Sequence, residues 1–290
     1  MTAFSTITCR RDDLARIHPI KFLQHLPARI GVFFSTRKLE RANKTAANEP
    51  KLEFDRSLKL AVLLLTWKRP DLLDKALETL AMQTYGDFTL FISNANKEIT
   101  EIVDQKVAKY QGKMEIEVIH TSNDRKGFRR FDLSKKLHAE GYDVMMFIDD
   151  DVRFSARYVE VAMSQYEPES YKSWWAWRLN GKPYNNPEDR TRVQSLNERV
   201  DYCGTGVSIM DISIFSHEAL FDHPKDALHI EDLWLSYFAD HVLGWKLEYL
   251  DVPNVILGGG DEVALYLQIQ DQPTNKETFV EGLRERGWKV

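Results

Sequence analysis

Cysteine is scarce in this chain, since only Cys9 and Cys203 occur among 290 residues. Two cysteines so far apart form neither a disulfide framework nor a metal-binding motif, and we therefore expect a reducing, cytoplasmic setting. Long apolar runs are also missing. No stretch of about 18 apolar residues occurs, and polar residues interrupt the N-terminus, so the sequence predicts neither a transmembrane segment nor a signal peptide.

Several catalytic signatures are absent as well. The eight histidines show no H-x-x-x-H spacing and no triad context, which argues against a zinc site. The patterns G-x-S-x-G, G-x-x-x-x-G-K-[ST] and G-x-G-x-x-G do not occur. Their absence argues against a serine hydrolase, a P-loop NTPase and a Rossmann dehydrogenase.

Charge is unevenly distributed along the chain, whose formal net charge is −5. Residues 1–59 contain twelve Lys/Arg and six Asp/Glu, whereas the remainder contains 27 and 38. The body therefore gives no general nucleic-acid signal. The basic arm is the one segment suited to nucleic acid or anionic lipid, and we favour its docking on the acidic body or plain solvation.

Strand-like and helix-like segments alternate from residue 58 onward, which predicts an α/β domain with a mostly parallel sheet. Leu58–Thr66 is a near-continuous apolar run, as in a strand covered on both faces. Further strands are predicted at Phe88–Ser93, Ile116–His120, Val144–Ile148, Val207–Met210 and Trp245–Tyr249. Helices are predicted at Asp71–Met82, Glu98–Tyr110, Phe131–Glu140, Tyr158–Tyr166, Ile230–Val242 and Glu262–Ile269, and a polar loop at Asn180–Arg192. We divide the chain into a basic extension (1–57), an α/β domain (58–258) and a C-terminal lid or helical tail (259–290).

Three consecutive aspartates, Asp149, Asp150 and Asp151, directly follow the apolar run Val144–Ile148. Carboxylates at the carboxyl end of a buried strand project into the crevice where open α/β sheets bind ligands. Clustered carboxylates repel one another, and their hard oxygens suit Mg²⁺ or Mn²⁺ shared with substrate phosphates. The alternative is a solvated acidic turn.

Four sequence blocks, in this order, resemble the GT-A-fold glycosyltransferases, most nearly the large family 2 of nucleotide-sugar-dependent, inverting enzymes. The block LAVLLLTWKRPDLLDKALETLAMQTY is similar to the family's first strand, T-x-x-R turn and helix, and FTLFISNAN to its second strand and nucleoside loop. VMMFIDDDV resembles the D-x-D strand, and IEDLWLSYFADHVLGWKLEYL the late E-D helix and following strand. The resemblance covers about Leu58 to Pro253. It implies a nucleotide-diphosphate-sugar donor, a glycan or other hydroxyl acceptor, and Mn²⁺ or Mg²⁺ as cofactor.

The resemblance also implies roles on the donor side. By the D-x-D alignment, Asp149 contacts the ribose or a metal-bound water, Asp151 binds the metal directly, and Asp150 faces the sugar or is a turn residue. Candidate contacts to the nucleoside and diphosphate are Thr66, Arg69, Asn94, Arg129 and Arg130. Arg129 and Arg130 end a Gly-containing basic loop at a predicted helix start, a setting that favours anions.

The E-D pair supplies the candidate base. Asp232 is expected to deprotonate the acceptor hydroxyl, with Glu231 as the reserve base or as the partner that orients Asp232. The alternative is helix capping, because carboxylates at a helix start satisfy free N–H groups and the helix dipole. On the catalytic interpretation, Asp232→Asn changes stability little, since asparagine keeps the size and much of the capping ability.

The chain departs from the family pattern in two places. Asn94 stands where the family usually has an aspartate, so a preference for uridine is not implied. No histidine matches the late metal ligand of some relatives, and Asp261 is a weak substitute. Trp174, Trp175 and Trp177 either belong to the core or stack on an acceptor sugar. The small-residue turn 203–206 allows close approach of a sugar, and the glycines at 258–260 form either a hinge of a lid or an ordinary loop.

Three alternative functions remain open at this point. A retaining transferase on the same fold carries an E-D motif in a similar position. A catalytically silent sugar- or nucleotide-binding module is disfavoured by the intact Asp149, Asp151 and Asp232. A nucleotidyltransferase is disfavoured because the Gly-rich, Lys-containing loop typical of that class is missing after Thr66.

Overall fold

A computed structural model of the protein describes residues 35–184, 188–256 and 275–290. The strands in these ranges are β1 (Leu60–Thr66), β2 (Thr89–Asn94), β3 (Glu115–His120), β4 (Val144–Asp149), β5 (Val152–Phe154), β6 (Ser170–Ser173), β7 (Ala176–Leu179), β8 (Arg190–Val193), β9 (Tyr202–Cys203), β10 (Val207–Asp211), β11 (Lys246–Tyr249) and β12 (Asn254–Ile256). Residues 35–45 are helical. They are followed by the helices α1 (Pro70–Leu80), α2 (Thr100–Ala108), α3 (Arg129–Ala139), α4 (Tyr158–Ser164), α5 (Glu231–Tyr237) and α6 (Lys276–Glu285).

The central sheet has seven strands in the order β11-β6-β10-β4-β1-β2-β3. Its strands are parallel except β10, which runs antiparallel to both β4 and β6. Two smaller sheets accompany it, one formed by β12 and β5 and the other by β8, β7 and β9. The alternation of strands and helices therefore produces the predicted mostly parallel α/β sheet.

Helices cover both faces of the sheet. Side chains alternate along a strand, so Leu60, Val62 and Leu64 of β1 pack on one face while Ala61 and Leu63 pack on the other. Helices α1, α2 and α4 pack on the face of Leu60, Val62 and Leu64 and form the first core cluster with it. Helices α3, α5 and α6 pack on the face of Ala61 and Leu63 and form the second core cluster. This double burial explains why β1 is apolar almost throughout.

The described part of the N-terminal extension, residues 35–57, docks on the body. Leu39 is buried against Val255. The ion pairs have the opposite polarity to the one expected from a basic arm on an acidic body, because the arm supplies the carboxylates. Arg157 pairs with Glu49, and Arg153 approaches Glu40 at 3.5 Å.

The predicted loop at Asn180–Arg192 is wrong at its C-terminal end, where Arg190–Val193 forms β8 and pairs with β7. Three of the four residues of β8 are polar, so the segment lacks the apolar alternation that marks a strand. Antiparallel pairing at the edge of a three-stranded sheet stabilises it instead.

The C-terminal tail contributes to the body through α6, whose Phe279, Val280 and Leu283 lie in the second core cluster. The predicted helix Glu262–Ile269, Asp261 and the glycines at 258–260 lie outside the described residues. Within the described ranges, no helix combines the length and apolarity needed to cross a membrane.

Candidate active site

The candidate site lies where neighbouring parallel strands end. Thr66 is the partner of Asn94 in the β1–β2 register, and Leu65 is the partner of Asp149 in the β1–β4 register. The carboxyl ends of β1, β2 and β4 therefore meet at one edge, as predicted for ligand binding in an open α/β sheet. Thr66 is buried there, and its hydroxyl has no hydrogen-bond partner among the described residues.

Arg69 holds two of the three aspartates that turn the chain from β4 into β5. Its Nη2 donates to Asp150 at 2.7 Å and its Nη1 to Asp151 at 3.0 Å. Asp150 is buried, whereas Asp151 is partly exposed. The alternative of a solvated acidic turn is therefore not what forms, because Arg69 pairs with the two less exposed of the three aspartates.

Arg130 joins the aspartates to the E-D pair. Its Nη2 donates to Asp149 at 2.7 Å and its Nη1 to Glu231 at 2.8 Å. Thr205 also donates to Glu231, at 3.4 Å. Both Arg130 and Glu231 are buried. One guanidinium thus bridges the end of β4 and the start of α5, which are separated by more than 80 residues in sequence.

Two glycines make this network possible. A Cβ on Gly127 would lie 2.0 Å from the carboxyl carbon of Glu231, and a Cβ on Gly206 would lie 2.0 Å from Oδ2 of Asp149. The Gly206 carbonyl also accepts the Asp149 N–H at 2.9 Å. Gly127 lies in the predicted anion loop and Gly206 in the small-residue turn before β10, so both predicted loops lie at the site.

Asp232 lies on the other side of the E-D pair and has its own partners. Tyr202 donates to Oδ2, as does the ammonium of Lys276, the first residue of α6. The Leu233 N–H donates to Oδ1 at 2.9 Å. Capping and ion pairing therefore both engage Asp232. Lys276 and Tyr202 were not predicted, since neither residue belongs to a motif and both meet Asp232 only in the folded chain.

The pKa values of these carboxylates move apart. Burial raises the pKa of Asp150 to about 8, and burial together with the Asp149 carboxylate raises that of Asp151 to about 6. Burial also raises the pKa of Glu231. Burial acts in the same direction on Asp232, but the Lys276 ammonium and the hydrogen bonds from Tyr202 and the Leu233 N–H together outweigh it, so the Asp232 pKa lies below its ordinary value. Asp232 is thus ionised at neutral pH. The three aspartates after β4, in contrast, have only two guanidiniums beside them, those of Arg69 and Arg130.

The residues predicted to contact the nucleoside include Asn94, whose amide has partners within the chain. Asn94 is buried, and its amide donates to the Asn96 carbonyl at 2.9 Å and lies 3.2 Å from Nδ1 of His120. Asn96 in turn donates to the carbonyl of Trp67 at 2.8 Å. Trp67, which sequence reasoning missed, is a half-buried aromatic directly after β1.

Three cations lie at the Asn94 end of the site: the Nζ atoms of Lys68 and Lys126 are 4.1 Å and 5.4 Å from the Trp67 ring centre, and the third cation is Arg129. It is buried, donates to the Ser93 hydroxyl at 3.2 Å and to the Lys126 carbonyl at 3.3 Å, and forms no ion pair with a described carboxylate. Burial lowers the pKa of Arg129 to about 10. A buried guanidinium without a carboxylate is suited to an anion or to the polar edge of a base.

The donor set for a metal is small. Among the described residues, no group of three or more His, Cys, Asp or Glu side chains is placed to hold an ion. Asp149 and Asp151 each give one carboxylate oxygen to an arginine and keep the other. One or two carboxylates completed by substrate phosphates and water is the usual arrangement for Mg²⁺, so the two residues fit such an ion.

Comparison with protein-family profiles and with curated sequences gives no match. Solved structures do match. S. aureus TarS 1–349 in complex with UDP-GlcNAc aligns with a TM-score of 0.53 and 14% identity over 78% of this chain and 70% of that chain. The same protein with UDP gives 0.50 and 16% over 67% and 58%. Mannosyltransferase PcManGT from Pyrobaculum calidifontis, in complex with GDP-Man and Mn²⁺, gives 0.50 and 12% over 82% and 68%.

The fold is therefore that of the GT-A glycosyltransferases, as the four sequence blocks predicted. The chain spans 58% of the TarS structure with UDP and 42% of another TarS structure. At these identities the similarity shows the fold alone.

Proposed function

We propose that the protein is a metal-dependent glycosyltransferase that moves a sugar from a nucleotide diphosphate to an acceptor hydroxyl. The observation that carries this proposal is the Arg130 bridge between Asp149 and Glu231. Through this bridge, the aspartate at the end of β4 and the first residue of the E-D pair share one hydrogen-bond network. GDP-Man with Mn²⁺ and UDP-GlcNAc, named for the matched structures, support a nucleotide-sugar donor.

Asp149 and Asp151 are the residues that would hold Mn²⁺ or Mg²⁺. When bound, the cation neutralises the charge that gathers on the leaving diphosphate. The charge balance of the cluster supports this role, because the carboxylates of Asp149, Asp150, Asp151 and Glu231 share the two guanidiniums of Arg69 and Arg130. Arg69 and Arg130 orient the aspartate carboxylates. Arg130 also orients the Glu231 carboxylate, to which it donates a hydrogen bond.

Trp67, Arg129 and Asn96 form the nucleoside end in this proposal. Trp67 offers a ring on which a base can stack. Arg129 offers guanidinium N–H groups that are not engaged by a carboxylate. Asn94 does not contact the base in this proposal. It holds Asn96 in place, because its amide donates to the Asn96 carbonyl and accepts from the Asn96 N–H. The Thr66 hydroxyl, which has no hydrogen-bond partner among the described residues, adds a donor at the end of β1.

Asp232 is the proposed base. It is ionised at neutral pH and lies beside Glu231, which Arg130 fixes on the donor side. To accept the acceptor's proton, Asp232 exchanges the hydrogen bond of Tyr202 or Lys276 for one from the acceptor hydroxyl. Direct displacement with this base inverts the anomeric configuration.

Asp151→Asn is expected to weaken nucleotide-diphosphate binding in Mn²⁺ by at least about tenfold, because it removes a charge-assisted contact. Isothermal calorimetry with UDP and GDP, with Mn²⁺ or with EDTA, measures this effect. In EDTA the wild type and the variant should bind equally weakly. Equal affinity of the wild type with and without Mn²⁺ would refute metal dependence.

Gly206→Ala is expected to weaken the same binding by about tenfold. The added methyl collides with the Asp149 carboxylate at 2.0 Å, and the carboxylate must leave Arg130. Gly86→Ala is the matched control, because nothing lies within 4 Å of a Cβ built on Gly86. If Gly206→Ala binds nucleotide normally in calorimetry, Asp149 does not serve the donor.

A further inference from the structure

The small sheet β8-β7-β9 connects the proposed base to a surface that the mechanism above does not use. In its registers, Arg192 of β8 lies opposite Trp177 of β7, and Trp177 lies opposite Tyr202 of β9. Directly opposed residues point to the same face of a sheet. Tyr202 donates to Asp232. The row Arg192, Trp177, Tyr202 therefore runs along one face and ends at the candidate base.

Arg192 is a cation without a counter-ion among the residues that the structure describes. Its guanidinium carbon lies 4.3 Å from the ring centre of Trp174, 4.4 Å from that of Trp175 and 5.4 Å from that of Trp177. Nη2 donates to the Trp174 carbonyl, while the buried Nε and Nη1 have no hydrogen-bond partner. No carboxylate of a described residue lies within ion-pair distance of Arg192. Such donors are costly to leave unpaired.

Arg190 adds a second cation to the same face. It lies two residues from Arg192 on β8, so both side chains point the same way. Its guanidinium carbon is 5.3 Å from the Trp177 ring centre, and it donates to the Tyr184 hydroxyl. Arg190 is exposed and also forms no ion pair with a described carboxylate. The main body is rich in acidic residues, so this face stands out by its positive charge.

We propose that Trp177, Arg190 and Arg192, the arginine–tryptophan face, bind an acceptor sugar that carries an anionic group. The half-buried Trp177 supplies a ring for the apolar side of the sugar, and the arginines supply donors for carboxylate or phosphate oxygens. The row to Tyr202 then aims the acceptor at Asp232. This assignment rests on the proposed transferase function and names the class of its acceptor.

The indoles of Trp174 and Trp175 cover the unpaired Arg192 donors, and both indoles are half-buried. Binding of an anion to Nε and Nη1 therefore moves an indole. That movement changes tryptophan fluorescence, which makes equilibrium binding measurable without turnover.

Fluorescence titration of the full chain tests the assignment with three matched probes: methyl β-D-glucuronide, methyl β-D-glucoside 6-phosphate and neutral methyl β-D-glucoside. We expect at least one anionic probe to bind about tenfold more tightly than the neutral one. The tighter of the two anionic probes tells carboxylate from phosphate. Equal binding of all three probes, or no binding of either anionic probe, would overturn the assignment.

Arg192→Gln and Arg190→Gln are expected to remove most of this preference. Arg190 is exposed, so Arg190→Gln decides the matter should Arg192→Gln not fold. Arg178→Gln is the matched control, because Arg178 lies opposite Thr191 on the other face of the same sheet. A preference that survives in both test variants, or that is lost equally in Arg178→Gln, contradicts the assignment.

Nucleotide binding in Mn²⁺, measured on the same samples, separates this test from that of the proposed function. Arg192→Gln should leave nucleotide affinity unchanged, because Arg192 lies on the acceptor side of Asp232. If the wild type binds no nucleotide, the transferase proposal is refuted. The sugar titration then still reports whether the arginine–tryptophan face binds an anionic sugar.

Discussion

Replacing Asp232 by asparagine is expected to lower turnover by about 100-fold or more and to leave donor affinity nearly unchanged. The variant cannot accept the acceptor's proton, whereas the proposed donor contacts are the aspartates after β4 and the loops of the first half. Turnover is followed by nucleotide release from the donor found by calorimetry, and donor affinity by calorimetry itself. Near-normal turnover would leave Asp232 with a capping role only.

The ion pair with Lys276 changes the expected effect of this substitution on stability. The sequence alone suggested little change, but Asp232→Asn leaves the partly buried Lys276 ammonium without its counter-ion. A loss of about 1–3 kcal/mol in the free energy of unfolding is therefore expected. The double variant Asp232→Asn with Lys276→Met should recover much of that stability without recovering turnover.

Product stereochemistry gives an independent check on the same residue. NMR of the anomeric proton should show inversion, because a single displacement assisted by Asp232 has no covalent intermediate. Retention would defeat the inverting mechanism and favour the alternative of a retaining transferase on the same fold.

Arg130→Met is expected to affect both halves of the site. It leaves Asp149 and the buried Glu231 without their shared partner, and breaking a buried pair in this way costs about 3–5 kcal/mol. Nucleotide binding in Mn²⁺ should fall by at least about tenfold, since the Asp149 carboxylate is no longer oriented. Chemical denaturation and calorimetry measure the two effects separately.

Arg157→Met is the matched control for this variant. Arg157 also pairs with two carboxylates, Glu49 and Glu160, but lies where the N-terminal extension docks. Its loss should lower stability and leave nucleotide binding intact. If Arg130→Met behaves in the same way as this control, the Arg130 bridge is structural and does not serve the donor.

Sequence patterns predicted six of the seven strands of the central sheet, and burial on both faces makes β1, β2 and β4 nearly continuous apolar runs. Val144–Ile148 is an example, and its aspartates lie at the predicted edge. The patterns missed β6, because Ser170–Ser173 contains a single apolar side chain, that of Tyr171. The polar contacts were not predictable. Whether Arg129 or Arg130 bridges to Glu231 depends on a helical rotation of about 100° between consecutive residues, which periodicity in one short loop does not fix.

The nucleoside position illustrates the same limit. The alignment placed Asn94 at the base, and the strand register does bring it to the site. Its neighbour His120, at the end of β3, takes up one side of the amide, and this contact arises only from the β2–β3 pairing. Likewise, β8 escaped prediction because its stability comes from a partner strand and not from its own composition.

The bridges that close the site have a consequence for the order of folding. Arg69 and Asp150 are 81 residues apart, and Arg130 and Glu231 are 101 apart. Closing such long loops costs chain entropy before the contact contributes, and non-local pairings form slowly. The sheet can assemble from strand–helix units close in sequence, but Glu231 reaches Arg130 only once α5 has docked. The three aspartates can therefore pair with Arg69 and Arg130 before the second half of the chain docks, and Glu231 then brings a further carboxylate to Arg130.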